Sequence, residues 1–242
     1  MKVLVINGSP RNERSNTMVL TRAFLEGAGW ADAEVIAVSG LDVKNCTGCF
    51  GCWNTTPGKC IISDDMLGIL PKLVEADVVI WAFPLYYYSV PGGLKTFIDR
   101  QLPLALPDMV AGSETGDHPS RYDLSHQRHI VISTCGFWTH KGNYDGVRAM
   151  FQRMGIDTFI FCGQGELFPI LMLDKLPPDV PMGAEEAEGL KALLNGYLAN
   201  VHKAGKEYAG GEISAETQEL LAQPILPQEV YEQGSSQARE RR

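Results

Sequence analysis

Residues 1–17 have the sequence MKVLVINGSPRNERSNT, in which a short apolar run ends abruptly in small and polar residues. The aliphatic run Val3 to Ile6 is typical of a central parallel strand that is buried on both faces. Gly8 and the Ser-Pro that follows it indicate a sharp turn. Apolar residues then recur at helical spacing from Met18, and the polar residues 15–17 can cap that helix. The stretch therefore predicts a strand, a polar loop and the start of a helix.

This loop is suited to holding an anion. The N-terminus of a helix carries partial positive charge and unpaired amides, and here several hydroxyl groups and two arginines stand beside it. The GxxxxGK[ST] and GxGxxG spacings are absent, so hydroxyls and backbone amides would have to hold a phosphate. An ordinary strand-to-helix turn with a polar cap explains the same residues. The loop alone leaves both interpretations open.

Composition narrows the class of protein. A chain of 242 residues with 45% hydrophobic content can bury the core of one large domain. A net charge of -8 argues against a nucleic-acid or anionic-membrane partner. No apolar stretch approaches the roughly 20 residues that span a bilayer, and the first strand begins without a signal-peptide pattern. We therefore expect a cytoplasmic protein.

Four further apolar runs predict strands that alternate with helical patterns. These runs are Glu34 to Val38, Asp77 to Phe83, Arg128 to Thr134 and Thr158 to Cys162. The alternation predicts an α/β fold with a five-stranded parallel sheet and right-handed crossovers. Ligands of such sheets bind at the carboxyl ends of the strands. The loops that begin at Ser9, Pro84 and Cys135 all follow strands, so we expect them to converge.

Two segments do not follow this alternation. Residues 101–127 contain prolines and glycines without a clear period, which predicts an insertion. Residues 185–208 are helical by pattern, whereas residues 209–242 are polar and interrupted by prolines. We therefore predict one domain over residues 1–208 and a C-terminal arm over 209–242 that is partly extended or disordered.

Four of the six cysteines are concentrated in a short segment. Cys46, Cys49, Cys52 and Cys60 form a C-x2-C-x2-C-x7-C run between a strand and a helix. Four thiolates at this spacing can turn onto one centre, which suits an iron-sulfur cluster or zinc. Structural or redox-active thiols are the alternative, because a free cysteine packs well as a small apolar residue.

Several motifs together resemble a known family. They are Gly-Ser-Pro-Arg with Ser-Asn-Thr at 15–17, the cysteine run followed by Asp-Asp-Met at 64–66, and Pro-Leu-Tyr at 84–86 with Pro91, Lys95 and Asp99-Arg100. In combination they resemble the flavodoxin-like NAD(P)H-dependent FMN reductases, and most of all the multimeric flavodoxins and iron-sulfur flavoproteins. The resemblance covers residues 1–100 well and residues 128–163 more loosely. It does not extend to residues 101–127 or beyond Pro169.

The resemblance implies a flavodoxin-like three-layer sandwich that binds FMN at the carboxyl edge of the sheet. By position, the residues expected to hold the FMN phosphate are Ser9, Arg11, Ser15, Asn16 and Thr17. Those expected around the flavin ring are Pro84, Leu85, Tyr86, Tyr87 and Ser89 on one side and Thr134, Cys135 and Gly136 on the other. By the same resemblance the four-cysteine run would hold a 4Fe-4S cluster, although similar reductases keep some of these cysteines without one.

The implied function is an oxidoreductase in which NAD(P)H reduces FMN. The reduced cofactor then passes electrons to a small acceptor such as a quinone, a nitroaromatic or a flavin. The alternative is an iron-sulfur flavoprotein that carries electrons between redox proteins. Proteins of this kind are usually oligomeric, so we expect a homodimer or homotetramer, with residues 101–127 and the C-terminal arm as contacts.

A few polar residues outside these motifs admit two interpretations each. His140 either contacts a substrate or is a solvated loop residue. Asp64 and Asp65 resemble paired catalytic carboxylates, but their position favours helix capping. Lys95 and Arg100 either reach the cofactor across a dimer contact or form a salt-bridged surface.

Overall fold

The computed structural model describes the backbone of residues 1–173 and 182–240, and the side chains of these residues as far as residue 234. Within them it has five strands and eight α-helices. The strands are β1 (Val3–Asn7), β2 (Glu34–Ala37), β3 (Val78–Pro84), β4 (Arg128–Thr134) and β5 (Phe159–Cys162). The helices are α1 (Asn16–Ala28), α2 (Gly51–Asn54), α3 (Met66–Glu75), α4 (Gly92–Asp99), α5 (Asp145–Arg153), α6 (Ala184–Gly210), α7 (Ala215–Leu221) and α8 (Gln228–Glu240).

The five strands form one parallel sheet in the order β2-β1-β3-β4-β5. This confirms the predicted flavodoxin-like α/β fold, and the strand bounds agree with the apolar runs to within one residue. Strand β3 is almost wholly buried because its residues, such as Ile80 and Trp81, are apolar on both faces. The strand order reverses at β1 and β3. That reversal places a ligand crevice at the carboxyl ends of these strands.

Helices cover both faces of the sheet. On one face α1 and α6 pack together over residues such as Val5 and Ile132. On the other face α3, α4 and α5 cover residues such as Ile6 and Val131. The result is the predicted three-layer arrangement. Among the described residues, no helix has the length and apolar character needed to cross a membrane.

Helix α1 shows how local sequence sets the element bounds. The Ser15 side chain caps its start by accepting a hydrogen bond from the amide of Met18. Its end is set by Gly29, which adopts a left-handed conformation with φ of 71°. The observed cap agrees with the predicted cap among residues 15–17, and a glycine after an apolar helical pattern is a common helix end.

The two irregular segments differ from each other. Residues 101–127 contain one 3-10 turn at Leu102–Leu104 and an isolated bridge between Ala105 and Ser120. The composition of residues 209–242 predicts an extended or disordered arm, but the structure has helices α7 and α8 there. Ser214 caps α7 at the amide of Thr217, and this stabilises a helix whose sequence is weakly periodic.

Candidate functional site

Loops that follow four of the strands meet at the carboxyl edge of the sheet. They enclose a cavity of about 170 Å³, which we call the edge cavity. Eleven of the thirteen residues predicted to contact FMN line it: Ser9, Arg11, Ser15, Asn16, Thr17, Pro84, Leu85, Tyr86, Thr134, Cys135 and Gly136. The convergence follows from the parallel sheet, because all of its strands end at the same edge.

The loop after β1 is ordered by its own side chains. Asn7 accepts a hydrogen bond at Oδ1 from the Ser9 amide (3.0 Å), and the Ser9 hydroxyl accepts one from the Arg11 amide (3.2 Å). Gly8 is required where the loop passes α4, since an added Cβ would lie 2.7 Å from the Leu94 side chain. The turn therefore presents a compact set of hydroxyls and amides to the edge cavity.

A hydrogen bond between two threonines joins opposite walls of the cavity. The hydroxyl oxygens of Thr17 in α1 and Thr134 at the end of β4 lie 2.7 Å apart, and both side chains are buried. The backbone continues the connection, because the Leu85 amide donates to the Thr134 carbonyl (2.8 Å). The helix start and the loops after β3 and β4 thus hold one another in place.

The tyrosine loop after β3 is a tight hairpin. The amides and carbonyls of Tyr86 and Ser89 pair with each other, and Tyr87 and Tyr88 between them have positive φ. This turn directs Tyr87 into solvent, where it is 97% exposed. Tyr87 and Ser89 are the two predicted flavin-ring residues that do not line the edge cavity, and their contact with FMN stays a prediction. Tyr88 stacks on Phe137 of the next loop, with ring centroids 5.6 Å apart.

The sequence analysis did not predict the wall of the edge cavity that follows β5. Gly165 and Glu166, in the loop after β5, also line the edge cavity. Gly165 permits close packing, because an added Cβ would lie 2.8 Å from the Thr134 Cβ. A signal was present, since Gly-Gln-Gly-Glu follows the last predicted strand at the same sheet edge.

Helix α8 reaches the rim of the cavity through Tyr231. Its hydroxyl contacts the Glu166 carboxylate and lies 2.7 Å from the Gly136 carbonyl oxygen. The chain leading to α8 is anchored by Gln164, whose buried side-chain amide pairs with both backbone groups of Leu226 at 2.8 Å. The C-terminal segment is therefore attached beside the candidate site.

Cys135 and His140 differ in their relation to the cavity. Burial raises the pKa of the Cys135 thiol, so this wall residue stays neutral at physiological pH.

His140 lies instead in a separate cavity with Arg148 and Asp157. Burial, together with the charges of Lys141 and Arg148, lowers its pKa. His140 is thus a half-buried loop residue that lies away from the edge cavity.

The cysteine segment, residues 39–63, forms a second candidate site. Cys46, Cys49, Cys52 and Cys60 all line one small cavity of about 20 Å³, which we call the cysteine cavity. Burial raises the pKa of the Cys52 thiol, and the neighbouring Cys60 adds to the effect. A hydrogen bond from the Gly51 backbone lowers the pKa of the exposed Cys49 thiol. Among the described residues, no three potential ligands already stand close enough to hold one metal ion.

The wall of the cysteine cavity contains a buried ion pair. The Arg100 side chain is 1% exposed and that of Asp64 is fully buried, and two guanidinium nitrogens bind the two carboxylate oxygens at 2.5 and 3.0 Å. Burial alone would raise the pKa of Asp64, but hydrogen bonds from Arg100 and from the amides of Lys44 and Met66 hold it below its usual range. Asp64 therefore has two roles. It accepts a hydrogen bond from the Met66 amide at the start of α3, and it is the partner of Arg100 in the buried ion pair.

Lys95 lies on a salt-bridged surface, which is one of its two interpretations from the sequence. It pairs with Asp99 one helical turn away at 2.6 Å, and both side chains are about half exposed.

Trp53 of the cysteine segment donates a hydrogen bond to the Ala105 carbonyl (3.0 Å), which ties the segment to the insertion. Phe50 lines the cysteine cavity and stacks on Trp53.

Comparison with known proteins agrees with this geometry. The model of the NADPH-dependent FMN reductase family matches residues 1–140. The chain belongs to this family. The match includes the eleven predicted residues of the edge cavity and all four cysteines of the run. Gly165, Glu166 and Tyr231 lie beyond it.

Individual relatives of this FMN reductase family member cover part of its length. An iron-sulfur flavoprotein of Archaeoglobus fulgidus is 39% identical over 105 residues, which are 43% of this chain and 46% of the relative. An iron-sulfur flavoprotein of Methanocaldococcus jannaschii is 39% identical over 108 residues, 44% of this chain and 54% of the relative. The chain thus spans about half the length of these curated relatives.

Solved structures support the fold. The NAD(P)H:quinone oxidoreductase from Methanothermobacter marburgensis is similar with a TM-score of 0.57 and 16% identity, over 86% of this chain and 98% of that one. An FMN-dependent NADH-azoreductase from Bacillus anthracis, solved in complex with FMN, has a TM-score of 0.52 and 20% identity, over 86% and 97% of the two chains. At these identities the likeness establishes the shared architecture alone.

Proposed function

We propose that this protein binds FMN in the edge cavity and acts as an NAD(P)H-dependent oxidoreductase that reduces a small acceptor such as a quinone, a nitroaromatic or a flavin. The observation that carries the proposal is the presence of eleven of the thirteen predicted FMN residues on one cavity at the carboxyl edge of the sheet. FMN, when bound, accepts a hydride from NAD(P)H and passes the electrons on. Membership of the FMN reductase family supports the same function.

The loop after β1 would hold the phosphate. The hydroxyl oxygen of Ser9 accepts a hydrogen bond from the Arg11 amide, and that of Ser15 accepts one from the Met18 amide in α1. Each hydroxyl hydrogen can therefore still be donated to a phosphate oxygen. Arg11 is exposed at the same cavity, and its guanidinium can add a charge-assisted bond. The positive end of the α1 dipole favours the same anion.

The remaining walls would orient the ring. Pro84 and Leu85 provide an apolar surface on one side, and the neutral Cys135 thiol lies in the wall after β4. The bond between Thr17 and Thr134 keeps the helix start and this wall at a set distance. The enclosed volume of about 170 Å³ is small for a whole ligand. A bound FMN would therefore be only partly enclosed, which leaves room for a second substrate to reach it.

Binding can be tested with a pair of matched helix caps. Ser15 caps α1 at the edge cavity, and Ser214 caps α7 away from it, with the same type of hydrogen bond. Each serine-to-alanine change removes a cap worth about 1 kcal/mol. We expect Ser15→Ala to weaken FMN binding by about tenfold, since a charge-assisted bond is worth at least ~1.5 kcal/mol, and Ser214→Ala to leave it unchanged. Equal affinities for the two variants would refute the proposed phosphate site.

Turnover requires a separate test. Anaerobic stopped-flow mixing of the FMN-loaded protein with NADH or NADPH should remove the visible absorption of the oxidised flavin. A subsequent addition of a quinone should restore it. The absence of bleaching with both nucleotides would rule out the reductase and leave the electron carrier.

A second candidate function is an iron-sulfur flavoprotein that transfers electrons between redox proteins. Two observations favour it: the four cysteines line one cavity, and a nitrogen of the buried Arg100 side chain points to a missing acceptor there, because Nε has no hydrogen-bond partner among the described residues. The donor set suits a 4Fe-4S cluster. Binding would require the thiols to rearrange, because no three potential ligands among the described residues stand close enough to hold one metal ion; Cys46 and Cys49 lie in residues 42–50, which contain no helix or strand.

Metal analysis decides between the alternatives for the cysteine run. Protein purified without oxygen should contain about four iron and four inorganic sulfide atoms per chain if the cluster is present. Zinc without sulfide would indicate a structural metal site. Absence of both would leave free thiols.

The proposed homodimer or homotetramer is tested on the same sample by light scattering after size-exclusion chromatography.

A further inference from the structure

The Arg100 side chain is unusual in being both buried and incompletely bonded. Its two terminal nitrogens are occupied, Nη1 by the Lys44 carbonyl (2.6 Å) and by Asp64, and Nη2 by Asp64. Its Nε is buried and has no hydrogen-bond partner in the described part of the chain. A buried donor without an acceptor destabilises a protein, because it has lost its hydrogen bonds to water. An acceptor for this nitrogen is therefore expected when the protein is in its working form.

The surroundings of Nε identify the chemistry of that acceptor. Arg100 lines the cysteine cavity together with all four cysteines of the run, and the Cys60 side chain lies beside the guanidinium, where its charge and a hydrogen bond are among the interactions that raise the pKa of Arg100. The Arg100–Asp64 pair is close to neutral overall, so it does not by itself require a further anion. A sulfur atom carrying negative charge is the acceptor that this cavity offers.

The ion pair also fixes where the guanidinium stands relative to the cysteines. Asp64 accepts a hydrogen bond from the Lys44 amide (3.0 Å), so the pair joins the residues just before Cys46 to those just after Cys60. Helix α4, which leads into Arg100, is packed against the sheet through Leu94 and Phe97. The donor is therefore held at the end of an element that is packed against the sheet.

We propose that Arg100 Nε donates a hydrogen bond to a sulfur of the 4Fe-4S cluster held by the four cysteines, and that this bond raises the reduction potential of the cluster. The inference rests on the second candidate function. A hydrogen bond from a cation stabilises the more negatively charged, reduced form of a cluster more than the oxidised form. Arg100 is thus a positioning and tuning residue, and Asp64 orients it.

The test is a redox titration of the cluster, followed by electron paramagnetic resonance, in wild type and in Arg100→Lys. Lysine keeps the positive charge but lacks the Nε donor and the planar fork that binds Asp64. We expect the equilibrium constant for one-electron reduction to fall by about tenfold, which is ~59 mV. Lys72→Met is the control, because it removes an exposed charge from α3, and its potential should equal that of wild type.

A second measurement covers the case in which Arg100→Lys does not fold. Wild-type protein carrying ¹⁵N-arginine should show a ¹⁵N coupling to the reduced cluster in pulsed electron paramagnetic resonance. Within the described residues, Arg100 is the arginine that lines the cysteine cavity, so it accounts for such a signal.

The outcomes separate the two proposals. A cluster whose potential is unaffected by Arg100→Lys, or that shows no ¹⁵N coupling, would overturn the role of Arg100 and leave the cluster in place. In that case a water molecule would be the acceptor of Nε. Wild-type protein without iron and sulfide after anaerobic reconstitution would overturn both the cluster and the role of Arg100.

Discussion

The edge cavity and the cysteine cavity are held together in different ways. The walls of the edge cavity are joined by backbone hydrogen bonds that continue the sheet, such as Gly8 to Ala82 (2.8 Å) and Cys135 to Cys162 (2.9 Å). The cysteine segment has no strand, and the Arg100–Asp64 pair joins its two ends. A site built on strand ends should tolerate single side-chain changes better than a segment whose two ends are joined by a buried ion pair.

The largest expected effect follows from removing the charge of Asp64. Asp64→Asn leaves the Arg100 guanidinium buried without a counter-charge, so the free energy of unfolding should fall by about 3–5 kcal/mol. Urea denaturation measures the change. Glu34→Gln, which breaks the exposed pair with Lys72, is the control and should cost at most about 1 kcal/mol.

The same variant tests whether the two regions are independent. Folded Asp64→Asn protein should bind FMN with the wild-type affinity, because the edge cavity does not depend on the cysteine segment. A parallel loss of FMN affinity would show that the two sites form one unit.

Acid should affect the sheet before it affects the cysteine segment. Burial lowers the pKa of His129 in β4 from 6.5 to about 4, and its Nδ1 accepts a hydrogen bond from the Trp81 indole (3.4 Å). His129 therefore becomes protonated near pH 6.5 in the unfolded chain, but only near pH 4 in the folded protein. At ~1.36 kcal/mol per unit, up to about 3 kcal/mol of stability should be lost as the pH falls through this window.

His129→Gln isolates this contribution, since glutamine can accept the same hydrogen bond but does not titrate. The variant should lose less stability than wild type between pH 6.5 and 4, as measured by urea denaturation at each pH. The contribution of Asp64 should persist below that window, because its pKa is lowered from 3.8. Identical slopes for the two proteins would show that His129 does not determine the acid response.

A moderate effect is expected at the threonine pair of the edge cavity. Thr17→Val leaves the buried Thr134 hydroxyl without its partner, which should cost about 1–3 kcal/mol of stability and weaken FMN binding. Thr21→Val is the matched control, because Thr21 is equally buried in α1 but its hydroxyl bonds to the Thr17 carbonyl, away from the cavity. Fluorescence titration should find FMN affinity reduced in Thr17→Val alone.

The smallest effect is expected at the attachment of α8. Tyr231→Phe removes the contacts of one hydroxyl with Gly136 and Glu166, so stability should fall by about 0.5–1.5 kcal/mol. Amide hydrogen exchange within residues 228–240 should become faster. Tyr122→Phe serves as the control, since the exposed Tyr122 hydroxyl makes no hydrogen bond among the described residues. Unchanged exchange in Tyr231→Phe would mean that α8 is held by other contacts.

The sequence predicted those features that depend on neighbouring residues. The strand β1, the Ser15 cap and the Gly29 stop are local signals, and strand ends in a parallel sheet must meet at one edge. Eleven residues of the edge cavity could be named for that reason, with the help of the family motifs. The direction of the Tyr87 side chain could not be predicted, because the hairpin geometry, and not the residue type, decides where an aromatic side chain points.

The amino-acid sequence by itself determined the order of strands and helices, the edge of the sheet that collects the polar loops, and the spacing of the cysteines. These follow from periodicity and from chain connectivity. Only the tertiary structure decided that Asp64 meets Arg100 across 36 positions and that Tyr231 meets Gly136 across 95. Such contacts depend on how the covering helices pack on the sheet, and no local pattern encodes the distance between residues so far apart in the chain.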